Sequence, residues 1–180
     1  MLKIMQMNSK ISLIKKEFKE YLKNKKILDI LVFGSIIKGK TLPKDIDIAV
    51  ITNEKIDINI PRFHIIFLKP EDFFINPPSL VHTLLREGYS LKNKRFLAES
   101  YKFSNKILFA YELKNLKASL KVKVVNILRG KNKEDGMIIK NNGAWLANQV
   151  FIVPIEYDYI FERFFLHFGV KFKRYYLLMH

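Results

Sequence analysis

A seven-residue run, Ile27–Phe33, apolar apart from Asp29, stops at Gly34-Ser35, and after nine intervening residues the chain resumes as Asp45-Ile-Asp-Ile-Ala-Val50. No other stretch restricts the fold as tightly. The run is short and apolar and is ended by a turn pair, so it reads as a buried strand. Gly34 lets the backbone pass close to a ligand, and the Ser35 hydroxyl can donate to a phosphate oxygen. Asp45 and Asp47 stand two residues apart in an alternating segment, which on a strand projects both carboxylates from one face. Neighbouring carboxylates repel unless a cation lies between them, and a hard divalent ion shared with phosphate oxygens resolves the repulsion.

The rest of the chain is arranged around this segment. Ile11, Ile14, Phe18, Tyr21 and Leu22 recur at helical spacing, predicting an amphipathic helix over 8–26 with Asn8 or Ser9 as its N-cap. A basic turn covers 36–44, a strand Phe63–Leu68, and Pro77-Pro78 opens a helix from Ser79 to Glu87 that Gly88 closes. Residues 89–105 show no period and read as a connector. Beyond them the pattern restarts as strand 107–113, helix 117–128, strands 137–140 and 150–154 joined around Asn142-Gly143, helix 156–168 and strand 170–178. That order, β-α-β-β-α-β, is that of a ferredoxin-like unit. The expected organisation is a first domain over 1–88, the connector 89–105, and a small basic α/β domain over 106–180.

Charge narrows the partners. Lys and Arg exceed Asp and Glu by 32 − 17 = 15, which favours a polyanion such as RNA, DNA or a nucleoside triphosphate. Residues 77–180 carry 18 basic and 8 acidic side chains against 14 and 9 in residues 1–76, so the second half is the expected nucleic-acid surface. The chain has no cysteine, which excludes disulfides, thiolate metal sites and thiol nucleophiles. It also lacks an apolar run of membrane-spanning length and a signal-peptide core, so a cytoplasmic protein without a membrane partner is expected.

Gly34-Ser35, nine residues, then Asp45-Ile46-Asp47-Ile48 resembles the signature of the DNA polymerase β-type nucleotidyltransferase superfamily, in the style of the minimal archaeal and bacterial members. Gly39, four residues after Ser35, fits their loop, and the resemblance covers about residues 10–75. It implies an α+β fold of the polymerase β type, a mixed sheet with helices, and Mg²⁺-dependent transfer of a nucleoside monophosphate from a nucleoside triphosphate to a hydroxyl acceptor, with Mn²⁺ as a substitute ion. Gly34, Ser35, Lys38 and Gly39 would then hold the nucleotide, Asp45 and Asp47 the metal. Lys38 and Lys40 either add charge beside the triphosphate or are solvated. The family places a third carboxylate on the next strand, and here the aligned strand Arg62–Leu68 puts His64 there. A neutral imidazole can accept a proton but is a poorer Mg²⁺ ligand. Asp57, Glu71 or Asp72 would have to substitute, or the site is altered. The rival expectation is a catalytically degenerate nucleotidyltransferase fold that binds nucleic acid or senses a nucleotide.

Weaker signals lie in the second half. Phe109 and Tyr111 on a strand would suit RNA stacking but equally a core. Trp145 would stack on a base or pack beside its turn. Lys114, Lys117, Lys121 and Lys123 form a stripe able to track a phosphate backbone or to face solvent.

Overall fold

Strands β1 (Ile27–Phe33) and β2 (Ile46–Thr52) bury apolar side chains on both faces, so the sheet they form has to be covered on two sides. The structure, a computed structural model, describes residues 2–40, 43–131 and 135–180. The chain divides into two units, the first running to Phe103 and taking in His180, the second spanning Ser104–Met179.

In the first unit α1 (Leu2–Glu17) and α2 (Lys19–Lys23) precede β1. After β2 come β3 (Phe63–Leu68), α3 (Ser79–Glu87) and two short strands, β4 (Tyr89–Ser90) and β5 (Arg95–Phe96). The sheet order is β3-β2-β1-β4-β5, with β1 antiparallel to both its neighbours and β2 parallel to β3, a mixed sheet as expected. Leu31, Phe33, Ala49, Ile51 and Leu68 pack on one face against Val81 and Leu84 of α3. On the other face Phe18, which separates α1 from α2 and is fully buried, meets Phe63 edge-on at 5.0 Å.

Three expectations change here. Helix α1 begins at Leu2, so Asn8 and Ser9 lie inside it and neither caps it. Asp45 is a bend residue directly before β2, which starts at Ile46. Residues 89–96, expected within the connector, form β4 and β5 of the first sheet, and a 3-10 turn over Leu97–Tyr101 follows them. Two-residue strands are too short to show a period, which is why the alternation test passes over them. Of the predicted turn 36–44, Thr41 and Leu42 lie outside the described residues.

The second unit runs β6 (Ser104–Glu112), α4 (Ala118–Arg129), α5 (Met137–Lys140), β7 (Ala144–Ala147), β8 (Val150–Pro154), α6 (Asp158–His167) and β9 (Lys171–Met179). Its four strands are ordered β7-β8-β6-β9 and are antiparallel throughout. Met137–Lys140, expected as a strand, is helical: the Asn141 side-chain amide donates to the Met137 carbonyl at 2.6 Å and closes the turn. The strand starts only after Gly143, where a Cβ would lie 2.7 Å from the Ile152 carbonyl oxygen, so glycine lets β7 approach β8. The hairpin turn is then Asn148-Gln149 rather than Asn142-Gly143.

Phe109, Phe151, Phe161 and Phe165 are fully buried with ring centroids 5.0–6.2 Å apart, and Tyr111 is buried beside Phe165. Phe109 and Tyr111 therefore belong to the core and offer no stacking surface. Trp145 packs edge-on against Phe151 at 5.6 Å, and the Arg129 guanidinium covers its ring at 4.3 Å. Asp158 is buried; it accepts from Arg174 at 3.0 Å and from the Tyr176 hydroxyl at 2.7 Å, and Arg174 also reaches Glu162 at 2.9 Å. Burial pushes the Asp158 carboxyl above the usual range, with Tyr176 and Arg174 pulling the other way. Among the described residues no helix is long and apolar enough to cross a membrane.

Candidate functional site

β1 ends in a turn built by its own sequence. Gly34 has φ +77° and Gly39 φ +91°, left-handed conformations that side chains with a Cβ adopt only at a cost. Between them the amides of Ile37 and Lys38 donate to the Gly34 carbonyl at 3.2 and 3.4 Å, Gly39 to Ile36 at 3.2 Å and Lys40 to Ser35 at 3.0 Å. Ile36 and Ile37 are buried under the turn, while Ser35 is half-buried at its rim. The opening amides of such a turn have no carbonyl within it to bind.

Asp47 is brought to this turn by the sheet. It pairs with Phe33 across β1–β2 and sits on the face covered by α3. Its carboxylate rests so close to Gly34 that a Cβ there would stand 2.5 Å from Oδ2. Glycine at 34 is thus required twice, by its backbone angle and by the carboxylate beside it. On the other side, parallel pairing sets Asp47 opposite His64, whose Nδ1 lies 3.3 Å from Asp47 Oδ1. His64 is largely exposed and Asp47 about one-third exposed. Asp45 is exposed at the mouth of β2, where the Ile46 amide donates to the Arg62 carbonyl at 3.0 Å.

The other candidate carboxylates lie elsewhere. Asp57, Glu71 and Asp72 line a groove with Thr52 and Leu68, at the far ends of β2 and β3. Thr52 lies five positions beyond Asp47 along β2, roughly 16 Å at the rise of an extended chain. None of the three substitutes for a carboxylate at position 64. Among the described residues no group of three or more His, Asp or Glu side chains is arranged to hold a metal ion. The oxygen donors of Asp45 and Asp47 are of the type that suits a hard divalent cation, but two carboxylates would fill only part of its coordination, the remainder falling to water or other oxygens.

Two neighbours of the turn escaped sequence reasoning. Lys10 of α1 donates its ammonium to the Lys40 carbonyl at 3.2 Å, and burial lowers its pKa from the usual lysine range. Glu87, the last residue of α3, is 2% exposed and lies 2.9 Å from the Lys38 ammonium. Periodicity marks Glu87 as the polar end of an amphipathic helix, and nothing local signals that the β4–β1 pairing will bury it. The charge asymmetry between halves also fades once the units are known. The chain to Phe103 holds 19 basic and 11 acidic residues, net +8, and Ser104–Met179 holds 13 and 6, net +7.

A family model described as polymerase beta, nucleotidyltransferase, matches residues 16–96. The matched segment takes in all five strands of the first sheet and ends at Phe96, the last residue of β5, well beyond the acidic strand and its neighbour. No curated protein and no solved structure matches the chain.

Proposed function

We propose that residues 16–96, matched by the polymerase beta nucleotidyltransferase model, form a domain that transfers a nucleoside monophosphate from a nucleoside triphosphate to a hydroxyl acceptor with Mg²⁺ as its ion. The observation that supports the proposal most is the closeness of the Asp47 carboxylate to Gly34, which would bring a metal-binding oxygen to a phosphate-binding turn. Gly34, Ser35, Lys38 and Gly39 form the nucleotide turn, Ser35 donating its hydroxyl to a phosphate oxygen. Asp45 and Asp47 hold Mg²⁺, or Mn²⁺ in its place, together with the triphosphate; bound there, the ion neutralises charge on the α-phosphate and on the leaving pyrophosphate. The acceptor oxygen bonds to the α-phosphorus as the bond to pyrophosphate breaks, and its proton passes to a base. His64, alongside Asp47, is the residue proposed for that base.

RNA is the proposed acceptor or anchor, on the strength of the net charge of +15 and the exposed Lys114, Lys117 and Lys123 around α4 of the second unit. The β-α-β-β-α-β order and the β7-β8-β6-β9 sheet support a ferredoxin-like reading of that unit, a small basic domain fit to carry the contact. A cytoplasmic setting suits these substrates.

One observation favours a second reading. The imidazole at position 64 leaves two carboxylates where a third is expected, and no three-ligand metal group is formed. On that reading the domain is catalytically degenerate and binds nucleic acid or senses a nucleotide.

The separating experiment measures thermal stability of the full chain with each Mg–NTP, for wild type and for Asp45→Asn/Asp47→Asn. A nucleotide at ~100 times its Kd adds about 2.7 kcal/mol, an easily read shift. A shift that needs both Mg²⁺ and the aspartates supports the transferase. Absence of any shift in the wild type overturns the nucleotide site, and a shift indifferent to Mg²⁺ and to the aspartates favours the sensor.

A further inference from the structure

Helix α3 ends where β1 ends. The antiparallel pairs Val32–Tyr89 and Leu31–Ser90 carry the chain back from Glu87 alongside the last residues of β1, so the helix terminus arrives next to the Gly34–Gly39 turn. Glu87 is the residue delivered there, and it is buried. One carboxylate oxygen, Oε1, lies 2.9 Å from Lys38 Nζ; among the described residues the other, Oε2, has no hydrogen-bond partner although it too is buried. A carboxylate in that position depends on its counter-ion, because charge withdrawn from water is costly unless paired.

Lys38 in turn belongs to the nucleotide turn. Its amide closes on the Gly34 carbonyl, and the buried Ile36 and Ile37 precede it, so its ammonium ties the open side of the turn to the end of α3. Were Lys38 to swing out to a phosphate, Glu87 would be left buried without the ammonium on Oε1. A phosphate contact at a partly exposed position gains less than that loss.

We infer that Glu87 is a positioning residue for nucleotide binding, holding the Gly34–Gly39 turn in shape through Lys38, whose ammonium stays on Glu87 when the triphosphate binds. The inference rests on the nucleotide reading of the turn given above. It departs from a direct phosphate role for the Lys38 side chain, and the two roles have opposite signatures. If the pair is a strut, neutralising Glu87 loosens the turn and weakens nucleotide binding. If Lys38 is a phosphate ligand held in reserve, neutralising Glu87 releases it and tightens binding.

The test compares wild type, Glu87→Gln, Lys38→Gln and Lys38→Arg in the full chain, by hydrogen exchange and by titration with Mg–ATP, Mg–GTP, Mg–CTP and Mg–UTP. In Glu87→Gln and Lys38→Gln the amides of residues 37–40 exchange about tenfold faster, while those of the β1–β2 ladder are unchanged and report an intact fold. The Kd of whichever Mg–NTP binds the wild type rises about tenfold, the scale of one charge-assisted hydrogen bond. Lys38→Arg, which keeps the charge and a donor, preserves both properties. Should Glu87→Gln not fold, Lys38→Gln, altered at the more exposed end of the pair, carries the same readouts. Unchanged exchange in the turn overturns the strut, as does tighter Mg–NTP binding by Glu87→Gln. If no Mg–NTP binds the wild type, the nucleotide reading has failed, and the exchange measurement still decides whether Glu87 holds the turn.

Discussion

Replacing Gly34 by alanine separates two demands that one position meets. The backbone there has φ +77°, and forcing a residue with a Cβ into the left-handed region costs about 1–2 kcal/mol. For a unit of this size such a loss lowers the melting temperature by roughly 4–16 °C. The second demand is spatial. The new Cβ would stand 2.5 Å from Asp47 Oδ2, whereas ordinary contact begins at 3.4 Å, so the carboxylate must retreat by about 3.4 − 2.5 = 0.9 Å. Displacements near 1 Å in a reacting group cost on the order of 10²-fold in rate. Gly169→Ala is the control, since Gly169 has φ +64° and open space where its Cβ would go, so it carries the conformational cost alone. The assay is a melting curve for each variant with and without Mg–NTP. Gly34→Ala is expected to melt lower and to lose the nucleotide-induced shift, Gly169→Ala to melt lower and keep it. A Gly34→Ala protein that retains the full shift would refute the argument that Asp47 and the turn act as one site.

Other perturbations test other parts of the molecule. His64→Asp supplies the carboxylate that the strand pairing sets opposite Asp47, and transfer activity should rise; no gain in labelled product would mean that a third carboxylate is not what limits the site. Phe165→Ala removes a fully buried ring of the second unit's core and should cost about 3–5 kcal/mol by urea unfolding; an unchanged midpoint would refute the packing argument. Because burial raises the Asp158 carboxyl, the folded chain holds that proton more tightly than the unfolded chain. Its contribution to stability is therefore complete below the unfolded value of about 3.9 and is lost as pH rises through the folded one. Stability curves of wild type and Asp158→Asn should accordingly diverge with rising pH in that sense, and parallel curves would count against the burial argument. RNA affinity measured from 50 to 200 mM salt should fall steeply if the lysines contact phosphates; a flat profile removes the polyanion surface.

The parts legible in the sequence are those where one physical rule acts over several residues. Alternation from Ile46 to Val50 and the apolar run before Gly34 are fixed by burial on a pleated strand, and β1 and β2 lie where that pattern puts them. The place of His64 beside the acidic strand comes from the family resemblance, and the β2–β3 pairing sets it opposite Asp47. The illegible parts depend on partners distant in sequence. Met137–Lys140 is four residues long, too short for either period, and its helical form is set by Gly136, Asn141 and the crowding at Gly143. Glu87 is an ordinary acidic helix end until β4 folds back along β1 and shuts it away from water. Phe109 and Tyr111 look alike as core and as stacking surface, and only the helix packed over them decides between the two.

The register of β6 against β9 has a consequence for how the chain is threaded. Ser104 pairs with Met179, so the first and last residues of the second unit stand side by side, about 5 Å apart at the spacing of paired strands. The polypeptide thus passes in and out of that unit at a single doorway. Ends so placed suit rewiring: a short bridge between Ser104 and Met179 would close the unit into a ring, with new termini opened at the Asn148-Gln149 turn.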